Sequence, residues 1–405
     1  LISFAIYWLI LVGKLYRFRA AVLVVPSNAD RKTLALLSWY NLTSSFAGNL
    51  VAPFMPIFLY QLAGNRFFQT SIASQTSVIV SVVMGLFWGR LSDVKGRRKR
   101  YVQLGIATGS LASLALSFAN TIEMAIAVQA LGAFTGSASG AAFSALLAEK
   151  FRDRRGSRLG LYSAAGVVGG FSGSLASGAL YSYLGFRWLL RLNALLSLIP
   201  LLLVSLLEED GNPGREVGRF FGPPRIPGRF WKIFIARIIL TLPGALSSGL
   251  YAIYFVKFLG GPPEAWSALI AVTTLLGLAS IPYGKLADRL TTRQMFTVAG
   301  LGWTALYLGY YASPNYLWFS LFFIIPVWPA FWLAYSKALM DLSDESERAT
   351  FYALEGTLSA IFGSLVSILA GYLADLYTPR SIFLLSATAA LASTLIVNAL
   401  LGRQC

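Results

Sequence analysis

From about residue 31 to residue 401 the chain alternates long apolar runs with short polar breaks. An α-helix needs about 20 mostly apolar residues to cross the hydrocarbon layer of a bilayer. Twelve such helices are predicted, at 33–60, 69–91, 101–119, 122–148, 158–184, 187–207, 231–259, 265–286, 295–312, 316–339, 349–376 and 379–401. Turn-forming residues punctuate them: Ala63-Gly64-Asn65, Asn120-Thr121, Gly185, Gly260-Gly261-Pro262-Pro263, Ser313-Pro314-Asn315 and Thr378-Pro379. The one long break, EEDGNPGREVGRFFGPPRIPGR, falls between helices 6 and 7. The expected units are therefore an extension at 1–30, a six-helix bundle at 31–208, a linker at 209–230 and a second bundle at 231–405. The run LISFAIYWLILVG at the start is too short to span alone and is followed by Lys14, Arg17 and Arg19. It fits an interfacial helix or the end of a further span, and it has no recognisable cleavage site of a signal peptide.

Composition agrees with the pattern. The chain is 56% hydrophobic and 12% charged, where a soluble domain carries about 25% charged residues. Its mean hydropathy is +0.65. In water such a chain would expose large apolar patches and aggregate, so the expected solvent is lipid. The formal charge of +16 would suggest nucleic acid in a soluble protein, but the cations lie in alternate loops. KGRRKR follows helix 2 and KFRDRRGSR follows helix 4; Arg215, Arg219, Arg225 and Arg229 lie in the linker, with Lys232 just past it, and Arg289, Arg293 and Arg348 follow later even-numbered helices. The opposite loops offer little beyond Arg66, Arg187, Lys257 and Arg380. Short cation-rich loops stay in the cytoplasm, which places both termini there in a multi-pass cell-membrane protein. A nucleic-acid partner is not expected. The chain has no histidine and a single cysteine, Cys405, so neither a metal site nor a cofactor is expected.

The two halves repeat one another. NLVAPFMPIFL at Asn49–Leu59 matches GLYAIYFVKFL at Gly249–Leu259, and YSAAGVVGGFSGSLAS at Tyr162–Ser177 matches YALEGTLSAIFGSLVS at Tyr352–Ser367. GRLSDVKGRRKR, from Gly89 to Arg100, has a weaker copy in GKLADRLTTRQM at Gly284–Met295, pairing Gly89 with Gly284, Asp93 with Asp288 and Arg98 with Arg293. Two parallel six-helix repeats suit a protein whose halves rock about a central site.

The stretch GRLSDVKGRRKR resembles the signature between helices 2 and 3 of the major facilitator superfamily, G-x-L-x-D-x-x-G-R-[RK], at Gly89, Leu91, Asp93, Gly96, Arg97 and Arg98. LAEKFRDRRGSRLGLYSA is similar to that family's end of helix 4, with Glu149 and Arg155-Gly156, and LGFRWLLRLNALLSLIP to its opening of helix 6. The resemblance covers about residues 31–401 and implies an all-α membrane protein of twelve transmembrane helices in two pseudo-symmetric bundles. It implies that Asp93 lies near the start of helix 11, around 350–356, where an anion is stabilised by the helix N-terminus. Glu149, Arg97, Arg98 and Arg155 would extend this into a gating charge cluster, to which Gly89 and the repeat's Asp288 also belong. Lys95, Lys99 and Arg100 are expected to fix topology and reach lipid headgroups. Small residues in helix 5 (Gly166, Gly169, Gly170, Gly173, Ser174, Ser177, Gly178) and helix 11 (Gly363, Ser367, Gly371) would let backbones approach, as a sliding interface or as static packing. Gly173-Ser174 stands where the family's drug antiporters carry Gly-Pro, which argues against that branch.

In this fold helices 1, 4, 7 and 10 line the central cavity. The candidates there are Asn41, Ser45 and Asn49; Gln129; Ser247, Tyr251 and Tyr254; and Trp328, Trp332 and Tyr335, although packing would account for the aromatic residues equally well. An aromatic, weakly polar cavity suits lipophilic or amphipathic molecules. Charged groups inside spans are costly and usually functional. Glu355 is the one carboxylate clearly within a span and is a candidate both for the gate cluster and for a proton site. Arg191 and Arg237 lie about a turn inside helices 6 and 7 and are expected to snorkel, or else to bind an anion. The expected function is secondary transport by alternating access, with export of a lipophilic or amphipathic compound, proton-coupled or not, by a monomer. The alternatives are a facilitator or importer of a neutral metabolite and, more remotely, a polytopic enzyme or receptor.

Overall fold

The computed structural model describes residues 28–151, 155–208, 228–277, 280–342 and 348–401. The extension up to residue 27 and linker residues 209–227 lie outside the described residues. Twelve helices run as the hydropathy pattern predicts, several of them in two segments. They are α1 (Asn28–Val51, continued by Met55–Leu62), α2 (Phe67–Lys95), α3 (Arg98–Leu116), α4 (Ile122–Lys150), α5 (Arg155–Leu184) and α6 (Phe186–Leu196 and Leu198–Ser205). The second half holds α7 (Gly228–Ser247, then Tyr251–Ile253 and a π turn at Tyr254–Phe258), α8 (Pro263–Leu276 and Ser280–Arg289), α9 (Thr292–Ala312), α10 (Tyr316–Phe323 and Trp328–Leu342), α11 (Arg348–Leu376) and α12 (Pro379–Leu401). Among the described residues nine of these, all but α3, α8 and α9, are long and apolar enough to cross a membrane by length and composition. Leu111, Leu131, Leu202 and Leu395 project from the outer surface, where lipid rather than water is the favourable neighbour.

Local chemistry sets the boundaries. Thr121 accepts a hydrogen bond from the Met124 amide to open α4. Thr291 and Gln294 form a reciprocal capping box at α9, and Asn315 caps α10 through the Leu317 and Trp318 amides. Gly96 ends α2 at φ 64°, in the left-handed region that side chains disfavour. Lys99, expected at the lipid surface, instead donates to the Ser205 and Leu207 carbonyls at 2.7 and 2.6 Å. It thereby satisfies the orphan acceptors at the end of α6.

Each bundle is held by close helix pairs. In the first, α1 lies against α5: a methyl group added at Gly169 would overlap the Leu42 carbonyl, and one at Gly173 the Phe46 carbonyl. Ser177 donates to the Leu50 carbonyl at 2.6 Å. These small residues of α5 therefore serve fixed packing inside one bundle. Gly178 turns elsewhere, towards Glu264 and Ser267 of α8 in the other bundle, and Gly170 faces both Asn49 of α1 and Thr274 of α8.

Among the described residues, the buried core is continuous across the bundles at one end only. A single cluster joins Phe54, Ile57, Phe186 and Leu189 of the first bundle to Tyr254, Phe255, Trp266, Phe319 and Phe383 of the second. That end lies opposite the cation-rich loops. Towards the cation-rich end the clusters separate: Leu37, Leu146 and Phe151, and Tyr40, Val102 and Val204, belong wholly to the first bundle. Met295, Phe296, Ala334 and Tyr335 belong wholly to the second.

Gly173→Val should lower stability by about 1–3 kcal/mol, because the Phe46 carbonyl leaves no room for a branched side chain. Gly160→Ala, with open space around it, should leave the melting temperature in detergent unchanged or slightly raised. Equal melting temperatures for the two variants would contradict the α1–α5 contact.

Candidate functional site

Three successive rungs clamp α2 to α11 at the joined end. Asp375, in the last turn of α11, accepts hydrogen bonds from the Phe67 and Phe68 amides at 2.7 and 2.9 Å. One turn further, Gly371 lies so close to Ser71 and the Phe67 carbonyl that a side chain would collide with them. One more turn on, Gln75 Nε2 donates to Ser367 Oγ at 3.1 Å. Arg66 supplies no side-chain cap to α2, so the carboxylate that satisfies its first amides comes from 308 residues away. An aspartate in the last turn of its own helix is electrostatically misplaced; the N-terminus of α2 explains its position. On the second pair of crossing helices, Trp266 of α8 donates to the Pro53 carbonyl of α1 at 2.9 Å. Beyond Gln75 no further α2–α11 rung is formed among the described residues. Val78 faces a cavity, Gly85 and Gly356 have no neighbour within 4 Å of an added methyl group, and Val83, Leu86 and Phe87 are exposed.

That cavity, about 360 Å³, lies between α7, α9, α11 and α12, with Gln75 and Val78 of α2 closing it from the other bundle. Its walls include Leu240, Trp303, Tyr307, Phe331, Ala360 and Ala390. Arg237 of α7 reaches its edge. Its Nε donates to Glu355 Oε1 of α11 at 2.7 Å, with side-chain exposures of 11% and 6% for the pair. Ser359 donates to the same carboxylate oxygen at 2.8 Å. The guanidinium carbon also lies 4.8, 5.1 and 5.0 Å from the ring centroids of Phe331, Trp332 and Tyr335, within cation–π range. Glu355 thus pairs with α7, and the expected contact with the Arg97 and Arg155 cluster is replaced. Arg237 does not snorkel. Arg191 behaves differently, lying over the rings of Phe118 and Trp188 at 5.1 and 4.6 Å.

Several cavity candidates have other neighbours. Asn41 donates to the Tyr162 carbonyl at 2.8 Å, Asn49 donates to the Ser45 carbonyl at 2.9 Å, and Ser174 donates to Asn49 at 3.4 Å. Ser45 bonds back to Asn41 at 3.5 Å. This polar stripe faces α5 and joins two helices. Ser247 and Tyr251 share a hydroxyl–hydroxyl bond of 2.7 Å inside the core of the second bundle, where Tyr251 and Tyr254 pack against Phe383. Gln129 lines a separate cavity of about 420 Å³ within the first bundle, beside Ser77, Ser113 and Asn193. Its buried Nε2 has no hydrogen-bond partner among the described residues. Trp328 lies against Gly277 and is partly exposed.

At the cation-rich end, two of the expected cluster residues meet: Arg98 forms an ion pair with Glu149 at 2.7 Å, while Arg97 is exposed. The side chains of Asp93, Asp288 and Arg155, and those of residues 348–353 at the start of α11, lie outside the described residues. Gly89 and Gly284 lie within α2 and α8, with open space around Gly284.

The comparisons with known proteins match this geometry. The model of the Major Facilitator Superfamily matches residues 37–277 and 233–404. An uncharacterized MFS-type transporter of Methanocaldococcus jannaschii is 24% identical over 378 residues, 90% of this chain and 94% of its own length. The multi-drug resistance efflux pump PmrA of Streptococcus pneumoniae is 25% identical over 67% of this chain and 71% of its own. Among solved structures, one of the nucleoside transporter NupG superposes with a TM-score of 0.78 at 13% identity, covering 92% of this chain and all of that one.

Removing one partner of a buried ion pair strands the other, at a cost of about 3–5 kcal/mol. Arg237→Ala and Glu355→Ala should therefore each lower the melting temperature in detergent. The Arg237→Gln/Glu355→Gln double variant, with no stranded charge, should recover most of the loss. A double-variant effect equal to the sum of the single effects would refute the coupling.

Proposed function

The chain belongs to the major facilitator superfamily, and from that premise we propose that it exports lipophilic or amphipathic organic molecules across the cell membrane by alternating access. It is a multi-pass membrane transport protein and not an enzyme. The observation that carries the mechanism is the asymmetry of the contact between bundles: rungs of hydrogen bonds and touching backbones at one end, a cavity beyond them, and separate cores at the other. The cation-rich loops mark the open end as cytoplasmic. The conformation is then inward-facing, with the Asp375 clasp holding the outer mouth shut. The superfamily signature at Gly89–Arg98 supports an inner clasp, with Asp93 at the end of α2 meeting the start of α11 when the molecule faces outward.

Export is supported by the relatives. Besides PmrA, a puromycin resistance protein of Streptomyces alboniger is 37% identical over 33% of this chain. The apolar cavity walls favour the same class of substrate. Glu355 is the acid best placed to couple transport to protons, since it is buried beside the cavity and its charge is matched by one arginine. Protonation would release Arg237 and change the contact between α7 and α11.

The test fixes the outer clasp covalently. In a Cys405→Ser background, the pair Ser71→Cys and Gly371→Cys should form a disulfide that stops counterflow in proteoliposomes, and reductant should restore it. Unimpaired exchange by the oxidised protein would refute alternating access through this clasp. Asp93→Asn should leave the melting temperature unchanged and slow counterflow; undiminished transport would remove Asp93 from the gate. In the native protein an imposed pH gradient should drive accumulation, and the Glu355→Gln variant should retain exchange while losing the driven component. Equal driven accumulation in both would exclude Glu355 as the coupling acid.

A further inference from the structure

The hydrogen-bonding groups of the cavity between α7 and α11 are nearly all donors already directed elsewhere. Thr241 donates to the Arg237 carbonyl at 2.9 Å, Ser393 to the Ile239 carbonyl at 3.0 Å and Ser359 to Glu355 at 2.8 Å. Among the described residues three lining donors are left over: the Trp303 indole N–H, Arg237 and Ser364. Arg237 uses only its Nε–H, and its other guanidinium N–H groups have no acceptor among the described residues. Ser364 is 2% exposed, and its hydroxyl has no partner among the described residues. A buried, unsatisfied hydroxyl costs about 1–3 kcal/mol, a deficit that a bound molecule would remove.

We infer that this cavity binds uncharged, largely apolar molecules that carry a hydrogen-bond acceptor of the carbonyl or amide type, held by Arg237 and Ser364, and that it discriminates against organic cations. This rests on the transport reading above and specifies its substrate class. No carboxylate is among the described lining residues, whereas a guanidinium is, so a cationic ligand meets the guanidinium side of the Arg237–Glu355 pair, with the carboxylate outside the lining. An anion would share Arg237 with Glu355, whose carboxylate is 2.7 Å away, and repulsion at low dielectric is strong. A neutral acceptor takes the spare N–H groups and leaves the ion pair intact. The apolar body then lies against Trp303, Tyr307 and Leu240.

The duplicated half offers an internal control. By the repeat offsets, Arg237 corresponds to Leu37 and Glu355 to Ala165. Leu37 is fully buried in an apolar cluster beside Tyr162. The first bundle packs the same pair of helices without charge, so the α7–α11 contact does not require an ion pair. The charges are additional to what the fold needs, and they stand at a cavity with unsatisfied donors.

The test uses three probes with one apolar body: N,N-dimethyl-2-naphthamide, 2-naphthoate and 2-naphthyltrimethylammonium. Equilibrium binding to the purified full chain in detergent should favour the amide over the ammonium by about tenfold or more, with naphthoate between. Arg237→Gln/Glu355→Gln should weaken amide binding about tenfold and narrow the spread among the three probes. Ser364→Ala, a small change tolerated by packing, should weaken amide binding about threefold if the double variant does not fold. Tightest binding by the ammonium, equal binding by all three, no detectable binding, or amide affinity unaffected by the variants would each overturn the inference. Binding in detergent needs no transport cycle. Selective amide binding without counterflow would therefore sink the transport reading alone, and counterflow of the ammonium in preference to the amide would sink the substrate class alone.

Discussion

The arrangement of the two bundles depends on a carboxylate at the wrong end of its own helix. Asp375 in the last turn of α11 faces the negative end of that helix's dipole, yet it lies within 2.9 Å of two free amides at the start of α2. Lipid offers those amides nothing, and an unsatisfied backbone group there costs several kcal/mol. Each helix therefore supplies what the other lacks, but only while the bundles touch at that end. The Gly371 and Gln75 rungs extend the contact by two turns and, among the described residues, no further. The cores follow the same rule, shared beyond the clasp and divided below it. A joint of this kind is firm yet replaceable, because water at an opened mouth satisfies the same amides and carboxylate.

The buried pair Arg237–Glu355 answers a different constraint. Charges taken from water recover their desolvation cost only with good geometry and full hydrogen bonding. Here one carboxylate oxygen receives both Arg237 and Ser359, and three aromatic rings surround the guanidinium. The pair links α7 to α11 within one bundle, while α11 also carries the clasp to the other. A single helix therefore connects the charged cavity wall to the closed mouth. A change at Glu355 has a direct mechanical route to Asp375, about five turns along the same rod.

The architecture was legible in the sequence because hydropathy and cation placement are one-dimensional signals. Twelve apolar runs became twelve helices, and Gly64, Gly185 and Gly260 stand at positive φ where turns were expected. The sites were less legible, since periodicity reveals which residues share a face but not what that face meets. Asn41, Ser45 and Asn49 do form a stripe, but it binds α5. Tyr251 and Tyr254 are large and polar-tipped, yet their rings complete an aromatic core with Phe319 and Phe383. Arg237 looked able to reach the lipid surface, and only tertiary structure brings Glu355, 118 residues away, to its Nε. The repeat could have flagged it: an arginine standing where the other half buries Leu37 is a departure that packing does not request.

That departure also separates fold from function. Duplication makes each bundle a reference for the other, and features present in both belong to the scaffold. Close α1–α5 contacts through Gly169 and Gly173 have their counterpart where Gly363 meets Thr241 and Ala245 across α7 and α11. The charged pair has no such counterpart, and neither does Asp375, whose position in the repeat is taken by Gly185 at the end of α5. Both unshared features involve α11. If selection had acted on stability alone, the second bundle had an apolar solution available in the first. Retaining Glu355 and a misplaced aspartate on one helix makes sense where that helix must change its contacts during work, and the mechanical asymmetry of the molecule lies in the second half.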